Sequence, residues 1–458
     1  MTNPPFGFGP GSGDGGGQPP GGDPLGGLFG SGNPGDLGAA LHRFADLMSW
    51  QGGPVNWDLA KQTALAAAGA ADPGTTAADA AAIAEAIRLA DVWLDGGTAL
   101  PSGVTGTEAW SRRRWVEATL EVWRELVDPI AARVVDAMGT ALGSSMGAAL
   151  GGLTGGELPP EIARALPSGM AGGQVPDLSQ LTGPLLGMLR QMGGAMFGTQ
   201  VGQALGSLAT EVVSATDVGL PLGPPGRAAL LPANVAAFGE GLSVPADEVR
   251  IYLAMREAAH HRLFGSVGWL RSRLLGAVEE YARGISVDMD ALQAAVAELD
   301  PTDPAAMQEA LTGGMFEPQT SPEQQAALAR LETLLALVEG WVDEVVATAA
   351  TGHLPAAGAL RETVRRRRAS GGPAEETFAT LVGLELRPRR LREAAALWQA
   401  LGAARGTDAR DAVWGHPDLL PTPADLEDPA SYAAGTEDLD LSSLHNTTAP
   451  PEEDRPAT

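Results

Sequence analysis

The sequence predicts a mainly α fold with a small amount of strand ahead of one central helix. Three observations carry this reading. Leu, Val, Ile and Ala recur at three- and four-residue steps through several long stretches, the spacing that lines one face of a helix. Strand-like patterns are scarce, the best being Arg227–Phe238, where Ala228-Ala229-Leu230-Leu231 leads into Pro232 and Asn234-Val235. Aromatic residues make up only 5% of the chain, so aliphatic side chains must supply most of the core.

The elements follow in order. Residues 1–37 are dominated by Gly, Pro and Asp, and a chain of that composition buries too little apolar surface to offset its ordering entropy. A disordered tail is expected there, and a second, acidic one over 433–458. Residues 38–432 read as one helical domain. Ala77–Leu94 carries Ile83, Ile87, Ala90 and Trp93 at helical spacing, with Gly96-Gly97 to end it. Trp110–Met138 repeats the pattern through Trp115, Leu120, Trp123 and Val127, with an interruption expected near Pro129. Ser321–Ala350 is the cleanest helix, built on Leu328, Leu331, Leu335, Val338, Val342 and Val345. Gly139, Gly143, Gly147 and Gly151 recur every fourth residue, as do Gly194, Gly198, Gly202 and Gly206. On helices such stripes let backbones approach closely. Gln191, Gln200, Gln203 and Glu211 argue against a membrane dimer, so two helices packed glycine face to glycine face are expected.

Bulk composition excludes several functions. The 458 residues contain no cysteine, which removes disulfides, zinc–thiolate sites and thiol catalysis. A formal charge of −26 argues against a general binder of nucleic acid or anionic membrane. The first residues have neither a basic nor an apolar leader region, so a cytoplasmic protein is expected.

The chemistry is concentrated in one helix. A start at Ser243 as N-cap is expected, with Pro245, Asp247 and Glu248 in the first turn. Val249, Leu253, His260, Leu263 and Phe264 then form an inward stripe. Residues 253–264, Leu-Ala-Met-Arg-Glu-Ala-Ala-His-His-Arg-Leu-Phe, align with the zinc signature H-E-x-x-H, except that Arg256 stands where the first histidine belongs. Glu257 and His260 then occupy the general-base and second-ligand positions. Arginine has no lone pair to offer a metal and stays protonated, and it can instead pair bidentately with a carboxylate. The plain alternative is a buried polar cluster in which Arg256, Glu257 and His260 satisfy one another or nearby acids.

The chain from 38 to 432 resembles an actinobacterial family of zincin-like, zinc-dependent metalloproteases, one branch of which is named for association with deazaflavin-coenzyme biosynthesis. Arg-Glu-Ala-Ala-His-His-Arg-Leu-Phe, Glu339-Gly340 and the stretch Arg361–Trp398 carry the resemblance. It implies a short edge strand before the active-site helix, Glu257 as catalytic general base, His260 as a zinc ligand, and a peptide or protein substrate. Two glutamates compete as third ligand. Glu280 follows His260 by twenty residues but has Gly284 where an aspartate should accompany it. Glu339 has Asp343 one turn later, where it could orient a ligand or, with Arg256, replace the metal. Glu339 is preferred. Trp341 stands where the family tends to carry a histidine. His261 and His353 are the remaining candidates to replace the lost ligand.

Arg361–Arg392 holds nine arginines against four acids in an otherwise acidic chain. It reads either as a docking patch for an acidic partner, a nucleic acid or the chain's own acidic tail, or as a solvated helix end whose arginines complement the C-terminal dipole and nearby acids. Three functions therefore remain open: a zinc-dependent peptidase or hydrolase, with zinc if active and no cofactor otherwise; a catalytically dead zincin that binds a peptide or protein in the old cleft; and a plain helical scaffold.

Overall fold

A computed structural model describes residues 53–69, 72–153, 179–283, 321–369 and 390–435. The tails expected over 1–37 and 433–458 lie outside these residues, apart from 433–435. The described residues are mainly helical, with twelve α-helices and one two-stranded sheet. The helices are α1 (Trp57–Gly69), α2 (Ala77–Leu94), α3 (Arg112–Leu153), α4 (Ser179–Ala209), α5 (Pro232–Gly239) and α6 (Ala246–Ser266). They continue as α7 (Leu270–Arg283), α8 (Pro322–Ala350), α9 (Ala357–Ala369), α10 (Leu391–Ala412), α11 (Pro423–Glu427) and α12 (Pro429–Ala434).

The helix starts follow local chemistry. Thr76 caps α2 in a capping box with Asp79, and the Ser321 hydroxyl accepts from the Gln324 amide at the start of α8. The start of α6 differs from expectation. Pro245, not Ser243, is its N-cap, and no side chain caps it, so the charges of Asp247 and Glu248 are what favours that end. α3 also differs, because it runs through Pro129 to Leu153. Proline removes one backbone bond, and burial of Leu126, Val127 and Ile130 around it holds the helix together.

The strand is shorter than its sequence pattern. Only Arg227–Leu230 forms a strand (β2); Leu231 is still extended, Pro232 then opens α5, and Asn234 and Val235 are helical. Proline at the first helical position suits its fixed φ. The partner of β2 is Gly106–Ala109 (β1), paired in parallel with Gly106 opposite Arg227 and Ala109 opposite Leu230.

The glycine stripe of α4 packs on α1 rather than on the other stripe. A Cβ on Gly202 would stand 2.5 Å from the Ala60 carbonyl oxygen, and one on Gly206 2.5 Å from the Ala67 Cβ. The partner is therefore a small-residue face, Ala60, Ala64 and Ala67, which sequence spacing cannot identify. The side chains of the first glycine segment lie outside the described residues. No described helix is long and apolar enough to cross a membrane.

At the centre lies α6, which is buried on every side from Tyr252 to Leu263. A helix enclosed in this way is a core element. It packs against α2 on one side and α8 on the other, with β2 and α5 beyond. α8 is held in turn by α10, where Gly340 meets the Ala394 backbone so closely that an added Cβ would stand 2.6 Å from the Ala394 Cβ. Arg262 ties the end of α6 to Asp91, Asp95 and the Leu100 carbonyl.

Candidate functional site

Tyr252, Arg256 and His260 recur every fourth residue on α6 and so form a single row. Glu339 and Asp343 form a matching row on α8. The rows meet at Glu339. Arg256 Nη2 lies 2.7 Å from Glu339 Oε2, and His260 Nε2 lies 3.0 Å from Oε1. A third cation comes from α9, with Arg368 Nη2 3.1 Å from Oε1. All but Arg368 are below one-tenth exposed, and Glu339 is 2% exposed.

His260 is oriented by its own helix. Its Nδ1 faces the Arg256 carbonyl at 2.9 Å, an acceptor only, so this nitrogen donates. Its Nε2 faces the Glu339 carboxylate. Burial alone would raise the Glu339 carboxyl, but Arg368 foremost, then His260 and Arg256, hold it well below the usual carboxylate range. Burial would likewise weaken the Arg256 charge, and Glu339 more than restores it.

Glu257 faces elsewhere. Its Oε2 accepts from the Thr216 amide at 3.1 Å and the Thr216 hydroxyl at 2.6 Å, and its Oε1 from the Ala229 amide at 3.1 Å. His261 Nε2 completes the set at 3.2 Å. Burial opposes its charge, yet His261, Thr216 and Ala229 together hold its carboxyl below the ordinary value. These bonds fasten α6 to β2 and to the loop after α4. None of these partners belongs to the Glu339 cluster.

Asp343 pairs with α9, through Arg361 Nε at 2.8 Å and Arg365 Nη2 at 2.6 Å. Its partners are thus arginines rather than a histidine or Glu339. Glu280 sits on α7 and pairs at the surface with Arg330 at 2.8 Å. Arg330 precedes Glu339 by two and a half turns of α8, which leaves Glu280 outside the cluster. His353 is exposed and stacks on Trp93 at 4.8 Å between ring centres. Trp341 is buried and donates to Asp411 at 2.9 Å.

Sequence reasoning missed the contributions of α9 and of the loop after α4. Arg361, Arg365 and Arg368 fall on one face of α9, and they are turned inward onto Asp343 and Glu339. Arg367 reaches Asp217 at 3.4 Å and the Glu211 carbonyl. Gly219 has φ +80° and lies against Glu339, where a Cβ would stand 2.7 Å from Oε1. The excess of arginine at 365–368 was the visible signal; the direction those side chains take was not. Arg361, Arg365 and Arg368 do complement acids, but they are turned inward rather than lying on a solvated helix end.

A catalytic zinc of this type needs three protein ligands and an open position. Here His260 and Glu339 are the two donors that meet, while the other groups on Glu339 are guanidiniums, which cannot ligate. Among the described residues, no group of three His, Cys, Asp or Glu could hold a metal ion. The residues present do not fit a zinc site.

The chain is similar in fold to the crystal structure of "a putative hydrolase with a novel fold" from Chloroflexus aurantiacus. The identity is 19% and the TM-score 0.54, over 83% of this chain and 98% of that one. No curated protein matches. A family model described as zincin-like metallopeptidase matches residues 55–433, from just before α1 to within α12 and so across every element that builds the Glu339 cluster. On that match the chain belongs to the zincin-like metallopeptidase family.

Proposed function

We propose that this chain keeps the zincin-like frame without its hydrolytic chemistry, and serves as a non-catalytic member that binds a peptide or protein. The observation that carries this reading is the use of Glu339. Both of its oxygens are engaged by guanidinium groups, at 2.7 Å from Arg256 and 3.1 Å from Arg368. The glutamate beside the degenerate motif supports it too. Glu257, which would be the general base by resemblance, is 0% exposed and spends both oxygens on Thr216, Ala229 and His261. A general base needs a lone pair aimed at the proton it removes.

One observation favours the second reading, a zinc-dependent hydrolase. His260 donates Nδ1–H to a backbone carbonyl and presents Nε2 to Glu339, the orientation that metal-bound histidines take. Elemental analysis of freshly purified protein separates the two. The expected result is zinc far below one equivalent and no cleavage of a quenched fluorescent peptide library. Stoichiometric zinc that disappears in His260→Ala would sink the non-catalytic reading, as would peptide cleavage abolished by Glu257→Gln.

A further inference from the structure

We infer that Arg256 and Arg368 together stand in for a dication at Glu339, so that the metal position is blocked twice, from two different helices. The inference rests on the metal-free reading above and adds a residue outside the motif. Arg256 is the legible half, because it occupies the place of a ligand. The substitution Arg256→His would place a second imidazole one helical turn before His260, facing Glu339, and so complete the three-ligand set of a zinc site.

That change alone leaves Arg368 in place. Its guanidinium lies 3.1 Å from Oε1, the same oxygen that His260 Nε2 faces at 3.0 Å. A zinc ion would sit about 2 Å from such an oxygen, within the space the guanidinium holds, and its double charge would meet a fixed cation there. Arg368 is not a chance visitor, since its Nη2 also donates to the Asp217 carbonyl. The rest of α9 fixes it in position. Arg361, Arg365 and Arg368 share one face, Leu360 and Val364 anchor the helix in the core, and the Glu339–Asp343 row of α8 receives the arginines. Of the groups that favour the ionised Glu339, Arg368 contributes most.

The inference is tested by zinc titration in a calorimeter on the full chain, with Arg256→His, Arg368→Met and the double variant. Wild type and both single variants should bind no zinc, while the double variant binds one equivalent and its melting temperature rises when zinc is added. One equivalent bound by Arg256→His as tightly as by the double variant overturns the role of Arg368 and leaves the metal-free reading standing. No binding by a folded double variant overturns the inference as well. Stoichiometric binding by the wild type, lost in His260→Ala, defeats the metal-free reading itself. Should the double variant fail to fold, the pair Arg368→Met and Glu339→Gln decides. If Arg368 compensates Glu339, the combined variant loses several degrees less in melting temperature than the sum of the two; additive losses overturn the inference.

Discussion

Gly219 shows how tightly the Glu339 carboxylate is bounded. Its φ of +80° is a conformation in which a side chain costs about 1–2 kcal/mol. An alanine there would also press its Cβ to within 2.7 Å of Glu339 Oε1. Gly352 provides the control, because it has the same φ and nothing within 4 Å of its Cβ position. Gly352→Ala should lose only the backbone cost, whereas Gly219→Ala should lose about 1–3 kcal/mol more, the range for overpacking. Urea unfolding of the two variants measures the difference, and equal losses would mean that Glu339 yields freely. The same comparison marks the limit of legibility at this scale. Arg256, His260 and Glu339 could be picked from the sequence because a motif spacing and a Glu-Gly pair expose them. Thr216 and Gly219 could not, because they reach Glu257 and Glu339 from a loop with no period of its own.

Helices were the readable elements, since a three- to four-residue apolar step is stated in the sequence itself. α2 begins and ends where its spacing predicts, at Ala77 and Leu94, and α8 starts beside its Ser321 cap. Which face meets which partner is a different kind of information. The stripe Gly198, Gly202 and Gly206 announces a close approach but says nothing of its target, and the target is the small-residue face of α1 together with Asn56 just before it. Two substitutions within α4 test this contact. Alanine at Gly187, which has open space around it, should raise stability by up to about 1 kcal/mol through helix propensity alone. At Gly202 the same propensity gain is opposed by a Cβ 2.5 Å from the Ala60 carbonyl and 2.6 Å from the Thr63 Cβ. Overpacking of that kind costs about 1–3 kcal/mol, so the net sign reverses. Thermal melts that place Gly202→Ala above wild type would remove α1 as the partner of the stripe.

Across the whole molecule, a chain of net charge −26 turns a group of arginines inward onto buried acids, and this sets its response to acid. Glu339 and Glu257 are both held below the ordinary glutamate value of 4.5, Glu339 by Arg368, His260 and Arg256 against the cost of burial, Glu257 by His261, Thr216 and Ala229. A depressed carboxyl contributes stability that is fully present above its unfolded value and is lost as pH falls through its folded value. Glu344 has the opposite sign: burial raises it in spite of Arg361, so its ionisation costs some stability as pH rises past 4.5. Surface repulsion among the many acids also relaxes as pH falls. Those two effects favour the folded state in acid, whereas the fully buried pair opposes it and carries the larger shift. Stability should therefore hold from about pH 7 to pH 5 and fall steadily below 4.5. Glu339→Gln isolates the main contributor. At pH 7 it leaves Arg256 and Arg368 without their counter-charge, a loss of about 3–5 kcal/mol for a broken buried pair. Below 4.5 the unfolded wild-type chain gains a proton at Glu339 that the folded chain refuses, and the glutamine variant has no such linkage. The gap between the two melting curves should therefore narrow steadily as pH falls from about 5 toward about 3. A gap that stays constant over that range would show that the folded chain does not hold Glu339 ionised by its contacts with Arg256, His260 and Arg368.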